Sequence, residues 1–269
     1  TRHRRFRVDL PARAKPVIVF KLGARQELDG SADLVFDAAI RRAGMLRVHS
    51  TEDLFDAVAT LARRRPQRGE RLAVLTNGAS LALVAADALA AGELRPAPVS
   101  AATRKRLVQQ GVATAASSTA NSTANSTASL AINLPADAPV AIYVAAAQAL
   151  LADDQTDALL FLHAPTAMVA SEAIAQALAP LFEAGGRNVL SCWLGGASSA
   201  RARRQFADAG LPTFETPETA VHGFLQVARY RRNQSLLMEV PAGVPGTAAP
   251  PRAAARALVK AALAAHRKE

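Results

Sequence analysis

The chain has 269 residues and a formal charge of +10, and half of its residues are hydrophobic. This composition indicates a globular protein and excludes a largely disordered one. The single cysteine excludes an internal disulfide framework. No apolar run is long enough for a membrane span, and the charged first 15 residues lack the apolar segment of a signal peptide. Together these features predict a cytoplasmic protein without a membrane span.

The positive charge is concentrated near the N-terminus. Residues 1–25 contain eight Lys and Arg residues and one Asp, so the rest of the chain has a net charge of only +3. Aromatic residues do not alternate with these basic residues, as they would in a platform for single-stranded nucleic acid. The pattern favours a solvated, arginine-rich segment, and a basic nucleic-acid adaptor stays the weaker alternative.

Short apolar runs alternate with helical patterns in the first 66 residues. The predicted elements are a strand over 15–23, a helix over 31–44, a strand over 45–50 and a helix over 50–65. Ser31 is the expected N-cap of the first helix and Gly44 its stop. Ser50 and Asp53 form a capping box at the start of the second helix. The stretch PQRGER over 66–71 then predicts a linker.

The alternation resumes after this break. The predicted strands and extended pieces are 71–76, 94–99, 157–165, 188–196 and 211–216, and the predicted helices are 79–92, 100–111, 140–153, 171–186, 198–210 and 217–237. Strands that alternate with helices of about a dozen residues are typical of βαβ units. The sequence therefore predicts an α/β fold with doubly wound parallel sheets, covered by helices on both faces.

Two segments depart from this pattern. Residues 113–131 are of low complexity and repeat ANST, which predicts a mobile surface insertion. Residues 239–251 are rich in Pro and Gly and precede a lone alanine-rich helix. We expect a linker and a helix that lead to a further domain outside this sequence.

Candidate ligand-binding residues follow the predicted strands, because open α/β sheets bind ligands beyond the carboxyl ends of their strands. These candidates are Lys21, Gly23, Arg25, Thr76, Asn77, Gly78, Ala79, Ser80, His163, Gly195 and Gly196.

The stretch from Asn77 to Ser80 opens a predicted helix, whose free N–H groups and dipole favour an anion. Its small side chains would let a phosphate approach. The stretch lacks the Lys-Ser/Thr ending of a Walker loop. A tight turn that needs glycine explains the same residues, so both interpretations stay open at this point.

Other reactive side chains give no catalytic pattern. His163 follows a strand and could act chemically, but a hydrogen-bonded neutral histidine explains the same position. Cys192 lies inside an apolar strand, where a buried and inert thiol is expected. No residues have metal-ligand spacing, a Ser-His-Asp order or a nucleophile elbow. We therefore expect no metal site in this chain, and both interpretations of His163 stay open.

Several long motifs resemble those of NDP-forming acyl-CoA synthetases, relatives of succinyl-CoA synthetase. The resemblance covers nearly all of residues 12–241 and is carried by KPVIVFKLG, RLAVLTNGASLALVAADAL, DALLFLHAPTA, ARRQFADAGLPTFETPETAV and YRRNQSLLMEVP. It implies two flavodoxin-like domains of the succinyl-CoA synthetase type. Residues 1–66 would be the C-terminal part of one, residues 70–240 the second, and residues 241–269 a linker and helix. A CoA-binding domain before this chain and an ATP-grasp domain after it are implied as missing partners.

DAAIRRAGMLRV, TNGAS and YRRNQSLLMEVP are most similar to one branch, bacterial lysine acetyltransferases that fuse a synthetase-like half to a GNAT domain. This resemblance implies a synthetase-like half that has lost catalysis and binds acyl-CoA as a regulator. CoA or acyl-CoA and ADP or ATP are the ligands implied for the full-length family, with no cofactor in this chain itself. We also consider that the protein assembles into a homo-oligomer.

Three departures from the family pattern concern catalysis. Active synthetases resemble K-x-GRS…SHTGALAGSD where this chain reads KLGARQELDGSAD, and no histidine lies between His3 and His49. The resemblance thus implies loss of the phosphohistidine that carries phosphoryl transfer. The family's Asn-Pro-x-Asp motif reads INLPAD in this chain. Asn133 and Asp137 are present there, but the spacing between them is altered. Two family glycines of the TNGGG motif are replaced in TNGAS, which predicts a phosphate cradle retired from phosphoryl transfer.

Two hypotheses about function result. The first is a non-catalytic, acyl-CoA-synthetase-like segment that serves as a scaffold or as a regulatory region binding acyl-CoA or phosphate. The alternative is a fragment of an active NDP-forming acyl-CoA synthetase, an acid–thiol ligase, whose phosphohistidine loop is missing from this sequence.

Overall fold

The structure of the protein, a computed structural model, describes residues 15–23, 31–62, 69–112, 131–238 and 252–264. The chain divides into two compact units, Thr1–Leu237 and Met238–Glu269. Arg25, the linker before residue 252 and, except for Ala131, the predicted insertion over 113–131 lie outside the described residues.

The helices and strands agree with the predicted alternation. In chain order they are β1 (Ile18–Phe20), α1 (Ser31–Arg42), β2 (Leu46–Val48), α2 (Thr51–Leu61), β3 (Leu72–Thr76), α3 (Ala79–Ala91), α4 (Ala101–Gln109), β4 (Ile132–Asn133), α5 (Val140–Leu151), β5 (Ala158–His163), α6 (Ser171–Ala184), β6 (Asn188–Trp193), α7 (Ala200–Asp208), β7 (Thr213–Phe214), α8 (Pro217–Met238) and α9 (Arg252–Ala264). Strand β4 is an addition to the prediction, because two residues are too few to show a periodicity.

Parallel strands form the larger sheet in the order β4-β3-β5-β6-β7. The chain passes from β3 to β4 on one side and then crosses back to β5 on the other side. The winding direction therefore reverses between β3 and β5, as in the flavodoxin-like strand order. The predicted doubly wound α/β fold is confirmed.

Strands β3 and β5 are buried along their whole length, because each is a continuous apolar run. Alternate side chains point to opposite faces of the sheet. Leu75 and Phe161 belong to the cluster that contains residues of α5, α6 and α7. Val74 and Leu160 belong to the cluster that contains residues of α3 and α8. Helices thus cover both faces, which is the usual environment of a parallel sheet.

Strands β1 and β2 form a separate two-stranded parallel sheet. β2 is fully buried, whereas the three residues of β1 are only half-buried. On one face, Leu46 and Val48 pack with Ala57 of α2. Arg47 points to the other face and donates to both carboxylate oxygens of Asp33 in α1, at 2.7 Å each. The two helices therefore lie on opposite faces of this small sheet.

Helix α8 contacts both sheets. Its buried residues Phe224 and Leu225 pack on the larger sheet, and Tyr230 packs on the cluster of the smaller one. The side-chain amide of Asn233 donates to the carbonyl of Met45, just before β2, at 2.6 Å. His222 lies 2.8 Å from Asp53 at the start of α2. Helix α8 thus connects the small sheet to the large one.

An ion pair between the exposed Arg71 and the buried Asp157 joins the amino ends of β3 and β5. The guanidinium of Arg71 donates to both oxygens of Asp157 at 2.9 Å, and the Arg71 backbone N–H adds a bond of 3.0 Å. The hydrogen bonds from Arg71 lower the pKa of Asp157 below its ordinary value of 3.8, against the effect of burial. This ion pair fixes the amino ends of the two central strands, opposite their carboxyl ends.

Helix α9, in the second unit, exposes Leu258 and Val259 to solvent. No helix in the described ranges is both long and apolar enough to cross a bilayer.

We expect Asp157→Asn to lower the free energy of unfolding by about 1–2 kcal/mol at pH 7, because Arg71 loses a charged acceptor. The lowered folded-state pKa stabilises the protein above the unfolded value, and this contribution is lost as the pH falls through the folded pKa. Denaturant unfolding should therefore show a difference between wild type and variant that shrinks from about pH 5 to pH 2.

The matched control is Glu172→Gln, which removes an exposed ion pair of 3.3 Å with Arg201. Its effect should stay below about 0.5 kcal/mol at every pH. If the difference in the free energy of unfolding between wild type and Asp157→Asn does not change with pH, the charge of Asp157 does not contribute to stability.

Candidate functional site

The candidate site lies at the carboxyl ends of β3 and β5, where the winding direction of the sheet reverses. Thr76 of β3 pairs with Leu162 of β5 in the register of these strands. In flavodoxin-like folds, ligands bind in the crevice at this position. We call residues 76–80 and 163–165 the switch-point loops. The fold thus brings together the predicted candidates Thr76 to Ser80 and His163.

The N-terminus of α3 is uncapped and faces solvent. Its N-cap Gly78 offers no side-chain acceptor, and the first turn contains no acidic residue. Ala79 and Ser80 are exposed, and their N–H groups have no acceptor in the described part of the chain. Helix α2, by contrast, begins with the complete predicted capping box of Ser50 and Asp53. Free donors and the helix dipole leave the start of α3 suited to an anion.

The backbone at Gly78 does not require glycine. Its φ is −139° and its ψ is 113°, an extended conformation that any residue adopts. A Cβ at this position would lie 3.2 Å from the side chain of Leu81, which is flexible enough to move. The alternative interpretation, a tight turn that needs glycine, therefore loses its conformational basis. The remaining role of Gly78 is to leave the helix end open.

Asn77 joins the two switch-point loops. Its Oδ1 accepts from the N–H of Ala164 at 2.8 Å, and its Nδ2 donates to the carbonyl of Ala164 at 2.8 Å. The side chain also interacts with the hydroxyl of Tyr143, a buried residue of α5. Burial raises the pKa of Tyr143 to about 12, which keeps its hydroxyl protonated. Asn77 itself is 8% exposed.

Tyr143 was not among the sequence candidates. It lies within a helix in which all residues but Tyr143 and Gln148 are apolar, so the sequence pattern gives it no polar role. Ala164 offers only backbone groups, which carry no signal in the sequence. The contact of both residues with Asn77 arises from tertiary packing alone.

His163 lies beneath the site and is fully buried. Its Nε2 is 3.0 Å from the hydroxyl of Ser171, and Nδ1 is buried without a partner in the described part of the chain. The rings of Tyr143, Phe161 and Trp193 surround it with centroids 5.1–6.1 Å away. Burial lowers the pKa of His163 to about 4, so the ring is neutral at pH 7. This environment agrees with a structural histidine and offers no nitrogen to an incoming phosphoryl group.

Gly195 and Gly196 follow β6 and pack beside the switch-point loops. Gly195 has a left-handed φ of +95°, and a Cβ there would overlap the ring of Pro165. Gly196 is also left-handed, with φ +50°, but the space around it is open. Arg203 of α7 donates to the carbonyls of Trp193 and Gly196 at 2.8 and 2.6 Å. These two hydrogen bonds fix the end of β6 and the loop after it to α7.

Asn133 and Asp137 occupy different environments. Asn133 pairs with Thr76 in the strand register, so it lies at the edge of the site. Its Oδ1 is buried and, among the described residues, has no hydrogen-bond partner. Asp137 is exposed in the turn before α5.

Lys21 and Gly23 lie directly after β1 of the smaller sheet and are separate from the switch-point loops. Lys21 forms an ion pair of 3.0 Å with Asp33. Hydrogen bonds from Arg47 and from Lys21 lower the pKa of Asp33, so this carboxylate stays charged beside both cations. Gly23 has a left-handed φ of +80° with open space around it. Arg25, the third candidate here, lies outside the described residues.

Cys192 is a free and buried thiol, and burial raises its pKa to about 12. It is therefore unreactive at neutral pH, as the sequence predicts. Over the ranges that the structure describes, no group of three or more His, Cys, Asp or Glu side chains is placed to hold a metal ion.

Sequence comparison identifies relatives of this chain. No protein-family model matches it. Acetate–CoA ligase (ADP-forming) I of Archaeoglobus fulgidus is 28% identical over an alignment of 232 residues, which covers 82% of this chain and 31% of the relative. The alpha subunit of acetate–CoA ligase (ADP-forming) I of Pyrococcus furiosus is 30% identical over 88 residues, which are 29% of this chain and 19% of the relative.

The chain is homologous to ADP-forming acetyl-CoA synthetases. Solved structures of dinucleotide-forming acetyl-coenzyme A synthetase 1 from Ca. Korarchaeum cryptofilum share its fold, at 24% identity and a TM-score of 0.70. The apo form matches 85% of this chain and 49% of that one. The complex with phosphate and ADP matches 86% and 50%. This chain therefore spans about half of the solved synthetase and 31% of the Archaeoglobus ligase.

Gly195→Ala should destabilise the protein by at least about 2 kcal/mol, because it adds a clash with Pro165 to the strain of a left-handed residue. Gly196→Ala is the matched control, since it carries only the left-handed strain and should cost about 1 kcal/mol. Denaturant unfolding of both variants measures the difference. Equal losses would show that the loops after β5 and β6 are not packed as described.

Proposed function

We propose that this chain is the acyl-CoA-synthetase-like part of a larger protein and binds a phosphate group at the N-terminus of α3. The bound group would be inorganic phosphate or the phosphate of an acyl-CoA. The uncapped start of α3 at the switch point carries this proposal, because it offers the free Ala79 and Ser80 donors that an anion needs. Homology to ADP-forming acetyl-CoA synthetases supports it, and one solved relative is in complex with phosphate and ADP.

We further propose that the chain does not transfer phosphoryl groups and serves as a scaffold or regulatory region. Phosphoryl relay through a histidine needs an accessible imidazole at the site. His163, the last residue of β5, is buried and neutral. No histidine occurs between His3 and His49. The similarity of TNGAS to lysine acetyltransferases of the GNAT-fused type favours a regulatory role for acyl-CoA binding.

The alternative is a fragment of an active acid–thiol ligase, and the ligase activity named for the relatives favours it. Such an enzyme would need a phosphohistidine loop supplied from outside this sequence. Acid-labile phosphate on the full-length protein after incubation with ATP would favour this alternative over a regulatory segment.

The domain organisation is part of the same proposal. Residues 1–66 would complete a flavodoxin-like domain begun upstream, residues 70–240 form the second one, and residues 241–269 lead to a further domain. Half-buried β1 and the 70% exposure of both Leu34 and Val35 in α1 support a further partner surface for the small sheet. We also propose that CoA-binding, ATP-grasp and GNAT domains are partners of this chain in the same protein. The protein would form a homo-oligomer and would lie in the cytoplasm.

Gly78→Asp tests the phosphate site. An aspartate at this N-cap would accept from the first free N–H groups of α3 and would repel a second anion. Wild type should bind inorganic phosphate with a dissociation constant on the order of millimolar. Calorimetric titration should show binding at least about tenfold weaker in the variant, while thermal stability stays equal or rises because the helix gains a cap.

The matched control is Ala170→Asp, which adds the same cap to α6, another helix without a side-chain cap. Its phosphate affinity should stay within about twofold of wild type, since the free donors of α3 are untouched. Unchanged phosphate binding in Gly78→Asp would place the anion elsewhere and overturn the proposed site.

The isolated chain should form no acetyl-CoA from acetate, CoA and ATP. A phosphohistidine and the flanking domains are both required in the proposed account, and this sequence contains neither. Chromatographic detection of thioester measures the outcome, with the Archaeoglobus fulgidus ligase as the positive control. Nucleotide-dependent thioester formation above the protein-free background would contradict the proposal.

A further inference from the structure

Helices α2 and α8 meet at a close contact beside His222. The neighbouring Gly223 has no room for a side chain, because a Cβ there would lie 2.8 Å from the ring of Phe214 and 3.1 Å from the methyl group of Thr60. The Thr60 hydroxyl donates to the carbonyl of Asp56 in its own helix at 2.6 Å, so the methyl group is the part that meets α8. His222 therefore lies at the point where α8 joins the small sheet to the large one.

The ring nitrogen Nε2 of His222 has two neighbours that require opposite roles. It lies 2.8 Å from Oδ1 of Asp53 and 2.8 Å from Nε2 of Gln226. A carboxylate oxygen only accepts a hydrogen bond, whereas an amide nitrogen only donates one. A ring nitrogen donates when it carries a proton and accepts when it does not, so it can satisfy only one of these neighbours at a time. The contact therefore has two alternative hydrogen-bonded states.

Asp53 connects this contact to the start of α2. Its Oδ2 accepts from the backbone N–H groups of His49 and Ser50 at 3.0 and 3.1 Å, as part of the capping box, and its Oδ1 faces His222. Burial acts to raise the pKa of Asp53, but these hydrogen bonds and the charge of His222 outweigh it and lower the pKa below 3.8. Asp53 is therefore an ionised acceptor across the pH range in which histidine titrates.

Gln226 can serve either state of the ring. It is 1% exposed, and its Oε1 is buried without a hydrogen-bond partner in the described part of the chain. A turn of the side-chain amide exchanges the positions of Oε1 and Nε2. When Nε2 of His222 carries a proton, it donates to Asp53 and to the turned Gln226 Oε1. When it carries none, it accepts from Gln226, and Asp53 loses its donor.

The charged groups around the ring are carboxylates. Helix α2 presents Asp53 and Asp56, both of which interact electrostatically with His222, and the exposed Glu52 lies beside them. On α8 itself, Glu218 lies one turn before His222. Strand β7, which packs on the neighbouring glycine, contains no titratable residue. A protonated ring is therefore attracted to α2, whereas a neutral ring is not.

We propose that His222 is a proton-sensitive contact between α8 and α2: the protonated ring binds Asp53 and holds α2 on α8, and the neutral ring releases Asp53 and accepts from Gln226 instead. The contact is a conformational device in the attachment of the small sheet. It does not depend on phosphate binding at α3, so the two proposals are tested separately.

Hydrogen exchange of the α2 amides, followed by NMR and corrected for the intrinsic effect of pH, tests the contact. We expect their protection in wild type to be at least about threefold higher near pH 5.5 than near pH 8, because the charged hydrogen bond to Asp53 is then formed. The amides of α6 serve as the internal reference and should keep a constant protection. In His222→Gln, which donates to Asp53 but does not titrate, the difference between the two pH values should disappear.

The matched control is His49→Gln. The side chain of His49 is exposed, and only its backbone contacts Asp53. This variant should keep the wild-type pH dependence of α2 protection. Equal protection of α2 at both pH values in wild type, or a pH dependence that persists in His222→Gln, would overturn the proposal.

Nitrogen NMR of the His222 ring gives a second readout that needs no folded variant. The proposal expects both ring nitrogens to carry protons near pH 5.5 and Nε2 to be the unprotonated nitrogen near pH 8. A neutral ring that keeps its proton on Nε2 near pH 8 would still donate to Asp53 and would overturn the proposal.

Discussion

Two hydrogen bonds between Asn77 and Ala164 continue the pairing of β3 and β5 past the ends of both strands. The reversal of winding between these strands would otherwise leave an open crevice at the centre of the sheet edge. With the bridge in place, the loop after β5 is fixed, Pro165 meets Gly195, and the loop after β6 is fixed in turn. The uncapped start of α3 stays accessible at this edge of the sheet. The edge therefore presents the backbone N–H groups of α3 in an ordered arrangement.

The histidine at this edge shows how environment decides chemistry. His163 ends the central strand β5, and functional groups of open α/β proteins lie at the carboxyl ends of such strands. Its ring, however, points into the aromatic cluster of Phe161 and Trp193, where no charge is stabilised. The resulting pKa of about 4 leaves a neutral ring bonded to Ser171. The same residue that marks the site in the sequence therefore stabilises the core in the structure.

The sequence was sufficient for the α/β fold, because the apolar runs of β3, β5 and β6 and the helices between them are long enough to show their periods. It was also sufficient to place Asn77 and Gly78 at the end of β3. It could not reveal β4, which has two residues, or the bridge to Ala164, which joins positions 87 residues apart through backbone atoms. It left open a tight turn that needs glycine at position 78, whereas the extended φ of Gly78 shows no such need.

The central claim is that phosphate binds to the backbone donors of α3 beside the Asn77 bridge. Titration of the isotopically labelled wild-type protein with inorganic phosphate, followed by amide NMR, tests it most directly. The account predicts saturable shifts that are largest for the N–H groups of Ala79 and Ser80, with little change at the capped start of α2. Shifts confined to other residues, or no saturable shift of Ala79 and Ser80, would contradict it.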